Sequence, residues 1–130
     1  MCIRDSLMPG RSLSLAVAGL VLASGLVLSA HHGWAGYQSA EFALEGVVVK
    51  DVTSDGAHSS MQIRAGTQVW DLTLAPPAAT TRAGLRSGVI PVGATVTING
   101  HRHIDPKRFE VKTERVTWNG KTFNVYPGRT

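Results

Sequence analysis

The sequence predicts an all-β domain with one short helix: a small OB-like Greek-key barrel of five to six strands, the helix lying between the third and fourth. Two observations and one physical argument carry that prediction. Segments of alternating apolar and polar residues recur between turn signals, as half-buried strands require. One stretch, APPAATTRAGLRSG, interrupts the alternation partway along the chain. A small sheet also gains by closing on itself, because closure removes the unpaired edges that β domains otherwise expose. An open six-stranded barrel or sandwich with a helical cap is the alternative.

Taken in order, EFALEGVVVKDV opens the domain with Phe42, Leu44, Gly46 and Val48 on one face and Val47 and Val49 on the other. Alternation with β-branching reads as a long strand, and Gly46 marks a bend or bulge in it. Asp55-Gly56 supplies a turn. SSMQIRA and QVWDLTLA alternate again, with Met61, Ile63, Trp70, Leu72 and Leu74 on buried faces and Gly66-Thr67 as a tight hairpin between them. Pro77 suits the first turn of a helix, where its missing N–H would be unpaired anyway. The residues to Arg86 allow two to three turns closed by Gly88. TVTINGHRHI, RFEVKTERVTW and KTFNVY return to strands, with a break at Asp105-Pro106 and a hairpin signal at Asn119-Gly120.

Before the domain comes an apolar run, LSLAVAGLVLASGLVL, preceded by Arg11 and followed by Ser29-Ala30. Its sixteen residues fall short of the roughly 20 needed to span a bilayer. A basic start, an apolar middle and a small residue at the cut describe a secretory signal peptide over residues 1–30; a retained membrane anchor is the rival. Residues 1–7 fit that leader badly, and Met8 offers a cleaner start. The expected organisation is then an arm over 31–40, the barrel over 41–126 and a tail over 127–130, in a periplasmic or secreted protein with no stable membrane insertion after cleavage. The single cysteine, Cys2, leaves with the leader, so a disulfide scaffold is excluded.

Without the leader the chain carries eleven Lys/Arg against eight Asp/Glu, and seven of the eleven fall in His101–Thr130. Such a bias suits a small anion, or it is simply a solvated edge. Export argues against nucleic acid. For catalysis the sequence holds no nucleophile elbow, no phosphate loop and no cysteine nucleophile, and no catalytic residue is assigned. Asp71, Glu110 and Glu114 read as surface charges; Asp51, Asp55 and Asp105 read as turn residues.

The chemistry on offer lies at His31-His32. Cleavage after Ala30 would leave a free amine on His31, and that amine with its own imidazole Nδ1 can close a chelate ring on a metal. Both groups deprotonate readily near neutral pH, with ordinary pKa values of about 7.7–8.0 and about 6.5. Nitrogen-rich ligation favours copper. His58, just after the turn joining the first two strands, and His103, on the same strand face as His101, are the candidate partners, because OB barrels bind ligands at the loops these residues approach. The expected metal ligands are therefore His31, His32, His58 and His103, with Trp34, Trp70 and Arg102 as further ligand-binding residues. The same histidines read equally as an unliganded tip, with Trp34 and Tyr37 pinning the arm to the barrel and Trp70 packed in the core.

AHHGW after a leader, His58, VWDLTLAPPAATTRAGL, VGATVTINGHR and VTWNGKTFNVY together resemble the family of small exported bacterial proteins catalogued as domain of unknown function 6152. The resemblance runs from Ala30 to about Tyr126, and HHGW and the tryptophan–APP–RAGL stretch are its most specific parts. It implies export and a small β-barrel, supplies no activity, and points to His31, His32, Trp34, His58 and Trp70. In that pattern an Asn-Pro precedes the second-strand histidine; here Gly56-Ala57 stands there. Three functions are expected from these readings: a binding module for a metal ion, copper first, or a small anion; a protein-interaction module of the bacterial envelope; or a metal-dependent oxidase, for which no substrate cleft is legible.

Overall fold

The computed structural model describes residues 34–129; the leader and the His31-His32 pair lie outside the described residues. Six strands and one helix follow one another as β1 (Phe42–Thr53), β2 (Ser60–Ala65), β3 (Gln68–Thr73), α1 (Pro77–Arg82), β4 (Thr95–Arg102), β5 (Glu110–Trp118) and β6 (Lys121–Asn124). The sheet runs β3-β2-β1-β4-β5-β6, and β3 also pairs in parallel with β5 through Asp71–Thr73 and Glu110–Lys112. That parallel seam closes β1, β2, β3, β5 and β4 into a five-stranded barrel with the helix between its third and fourth strands, the OB arrangement. β6 is an added strand outside the ring. Among the described residues no helix is long and apolar enough to cross a membrane.

β1 is long because it serves two partners. Phe42–Val47 pairs with β4 and Val47–Thr53 with β2. At the crossover Gly46 is required by space: a Cβ there would stand 2.8 Å from the Arg64 carbonyl oxygen. The register shifts fall later, between Val48 and Lys50 and between Lys50 and Thr53. Asp51 belongs to this strand and not to a turn. Its carboxylate accepts from Val52 N (2.7 Å), Ser87 Oγ (3.0 Å) and Gly88 N (2.8 Å), tying the segment after the helix to the barrel wall.

The helix is shorter than the sequence suggests. It ends at Arg82 because Gly84 turns left-handed at φ +89°; Leu85 N then bonds to Thr80 O and Gly84 N to Thr81 O. This Schellman closure satisfies the last carbonyls and drives Leu85, fully buried, into the core. Gly88, also at positive φ, belongs to the next turn. The other turns match their sequence signals: Gly66 has φ +61°, and Asn119 and Gly120 have φ 51° and 78°, as a type I′ hairpin demands.

The core gathers Val48, Met61, Ile63, Leu72, Val96, Ile98, Val111 and Val116 from the barrel strands, each at most 1% exposed, with Leu74, Leu85, Ile90 and Phe123 packed against them. Burying such a side chain stabilises the fold by about 1.5–3 kcal/mol relative to leaving it in water. The β4–β5 ladder holds these residues in phase by a bulge. Asn99 faces Arg115 and Gly100 faces Thr113, so Glu114 is the extra residue. Val116 and Val111 thus both reach the core although they are an odd number of residues apart.

Candidate functional site

The bulge decides what happens on the outer face of β5. Glu114 is not a surface charge: it is 3% exposed and accepts from His101 Nε2 (2.7 Å), Arg115 Nη1 (3.3 Å) and Arg129 Nε (3.4 Å). His101, 7% exposed, meets the Gln38 carbonyl with Nδ1 at 2.8 Å. Both ring nitrogens of His101 are engaged by oxygen atoms within the protein, so neither is presented to a metal.

The arm ahead of β1 continues its ladder along β4. Gln38 N donates to Arg102 O (2.8 Å), Tyr37 bridges His103, and Ile104 N donates to Gly36 O (2.8 Å). Tyr37 locks this segment through its hydroxyl, which donates to Glu110 Oε1 at 2.5 Å. Burial, then this hydrogen bond and the Glu110 charge, push the Tyr37 pKa up to about 12, so the phenol stays protonated. Glu110 is held below the usual carboxylate range: desolvation opposes that, but the Tyr37 hydrogen bond and the Arg108 and His103 charges outweigh it.

Trp34 then turns onto the face beside His101. Its ring stands edge-on to His101 (5.5 Å between centroids) and to Tyr126 (5.1 Å), with the Arg129 guanidinium 3.8 Å from its centre. Lys112, opposite His101 in the ladder and only 4% exposed, brings its ammonium to 5.4 Å from the Trp34 ring and 5.8 Å from Tyr126. The same ammonium lies 3.3 Å from His58 Nε2. A lysine has only donors, so His58 Nε2 accepts and the ring is neutral with its proton on Nδ1. Burial and then the Lys112 charge hold the His58 pKa below its usual 6.5. Burial also lowers the Lys112 pKa, against the opposing pull of Glu110.

His58 and Trp34 are therefore neighbours through one lysine. His103 belongs to a separate set of contacts: its ring packs on Tyr37 (5.4 Å) and its Nδ1 accepts from Asp105 N (3.0 Å). Trp70 is a core residue, 7% exposed, at an end of the hydrophobic cluster where Phe42, Phe109 and the Arg102 guanidinium (4.9 Å) cover it. Lys112, Tyr126 and Arg129 were not legible as site residues. A lysine in an alternating strand ordinarily reads as solvent-facing, and only the β3–β5 seam beside it and the arm above it bury this one.

Two cavities adjoin the site. One of about 430 Å³ is lined by Glu41, His101, Glu114, Gly128 and Arg129; another of about 270 Å³ is lined by Trp34, Tyr37, Gln38, Ser39, His101 and Arg129. Among the described residues no group of three or more His, Cys, Asp or Glu side chains is placed to hold a metal ion.

No family model matches the chain, and no curated protein matches it. A solved structure, apo TiaS (tRNAIle2 agmatidine synthetase), is similar over 60% of this chain and 18% of that chain, with 15% sequence identity and a TM-score of 0.45. A superposition of that quality carries no argument about function.

Proposed function

We propose that the chain is an exported, non-catalytic binding module that holds a metal ion, copper foremost, between its N-terminal histidines and His58. The observation that carries this reading is the contact chain from Trp34 through Lys112 to His58. An extended chain covers at most about 3.6 Å per residue, so three residues ahead of Trp34 the backbone can reach roughly 11 Å from it. The Trp34 ring and His58 Nε2 flank the same Lys112 ammonium, at 5.4 and 3.3 Å. The imidazole of His58 is neutral and keeps a ring lone pair, as a ligand must.

The fit has a cost. Lys112 now donates to that lone pair, and Arg129 adds a second positive charge beside Trp34. A bound ion would have to displace the Lys112 ammonium from His58. Cationic surroundings also favour the singly charged cuprous ion over the cupric one. The resemblance to domain of unknown function family 6152 agrees with export and with an HHGW start, and it adds no activity.

The test is copper titration of the chain beginning at His31 against the same chain extended by Ala30. A site built on the terminal amine loses most of its affinity when a peptide bond blocks that amine. Equal affinity for the two chains excludes it, and leaves the envelope-interaction module as the reading to pursue.

A further inference from the structure

β6 lies outside the barrel ring, and among the described residues no strand pairs with its far edge. The register shows which groups that edge presents. Trp118 and Lys121 close the two-residue hairpin as a hydrogen-bonded pair, and Val116 with Phe123 is the next. Val125 N, donating to Glu114 O (2.9 Å), continues the same alternation. The N–H and C=O groups of Thr122 and Asn124 therefore point away from β5, and none of the four has a partner among the described residues.

Beside this edge runs a groove of about 150 Å³, walled by Ala79, Arg82 and Ala83 on one side and by Asn124, Val125 and Pro127 on the other. The two alanines keep the helix wall low and leave space for an incoming side chain. Asn124 Oδ1 is buried without a donor; turning its carboxamide toward an added strand would supply one.

Charge selects the occupant. No carboxylate lines the groove. Arg82, exposed at the end of α1, has no ion-pair partner among the described residues, and neither has Lys121 at the start of β6. A second copy would bring the same two cations to the groove, like against like. The chain ahead of Trp34 holds a single acid, Asp5, against Arg4 and Arg11.

From this we infer that the β6 edge binds an extended acidic peptide segment of another protein by strand addition. The segment's backbone pairs with Thr122 and Asn124, an apolar side chain lies over Ala79 and Ala83, and a carboxylate reaches Arg82. Backbone pairing supplies affinity, and the groove supplies the choice of sequence. A nucleic acid or a lipid has no strand backbone with which to complete the ladder. The inference is independent of any metal at the Trp34 face.

The test is titration of the isotopically labelled full chain with a capped peptide, Thr-Val-Glu-Val-Glu-Val, followed by NMR of the backbone amides. Its lysine counterpart, Thr-Val-Lys-Val-Lys-Val, is the control. The acidic peptide should shift the Thr122 and Asn124 amide resonances and slow their hydrogen exchange, and the lysine peptide should bind more weakly. Arg82→Glu should lower the affinity for the acidic peptide about fivefold, the upper worth of an exposed ion pair. Arg82 is exposed, and an unchanged unfolding midpoint shows that the barrel is intact. Absence of shifts at Thr122 and Asn124 overturns the inference, as do equal affinities for the two peptides or an affinity unmoved by Arg82→Glu. It is equally overturned if both amides become protected without peptide as the protein concentration rises, since a second copy would then hold the edge.

Discussion

Lys112 shows how one residue can tie an arm, a loop and a strand together. Its aliphatic stem is buried in the β3–β5 seam region, and its ammonium meets Trp34, Tyr126 and His58. The last contact makes a pH prediction. Burial first, and the Lys112 charge second, hold the His58 pKa below 6.5. Lys112→Met keeps the bulk and removes the charge, so the His58 imidazole should titrate closer to 6.5, followed by NMR of the ring protons, without fully reaching it because the burial remains. The sign for stability follows from the same shift. A folded value below the unfolded one disfavours protonation of the native state, so this contribution is complete above pH 6.5 and is lost as the pH falls through the depressed value. An unmoved titration in the variant would mean that the lysine charge does not reach His58. Glu114 is the other residue whose role inverts on folding, from an apparent surface charge to a buried acceptor of three side chains.

At the scale of elements, most of the fold was legible and the exceptions share a cause. Hairpins at Gly66 and Asn119-Gly120, the start of the helix at Pro77 and the inward set Phe42, Leu44, Gly46 and Val48 are local signals, each spelled out by neighbouring residues. The parallel β3–β5 pairing, the bulge at Glu114 and the Asp51 tie to Gly88 join residues far apart in the chain, and no periodicity announces them. The helix length was misjudged for a related reason: two glycines could end it, and the nearer one does. The bulge yields a comparison between two glycine substitutions. A Cβ at Gly100 would stand 2.3 Å from the Lys112 carbonyl oxygen and 2.9 Å from Thr113 Cα, both backbone atoms that cannot yield without breaking the ladder. Gly66 has a positive φ with nothing within 4 Å. Gly100→Ala should therefore cost about 3 kcal/mol by overpacking, and Gly66→Ala about 1 kcal/mol by backbone strain alone. Denaturant unfolding of both variants checks the order; equal losses would place the bulge elsewhere.

For the whole molecule, the barrel acts as a frame with two separate presentations on it. One is the face where Trp34, Lys112, His58, His101 and Tyr126 meet; the other is the unpaired edge of β6 beside α1. The candidate site was half visible in the sequence. Aromatic residues beside paired histidines marked Trp34 and Tyr37 as anchors of the arm, and His58 stood out as a loop histidine. That His101 is consumed by Glu114 and Gln38, and that His103 turns to Tyr37 and Asp105, depends on packing that spacing along a strand does not encode.

That division among the histidines gives the metal reading its sharpest test: copper affinity of the chain beginning at His31, measured in parallel for His58→Ala and His103→Ala. A site built on His58 loses at least about tenfold in affinity on His58→Ala, or roughly 1.4 kcal/mol, and binds copper as tightly as the parent after His103→Ala. Copper held as tightly after His58→Ala, or lost on His103→Ala instead, would contradict it.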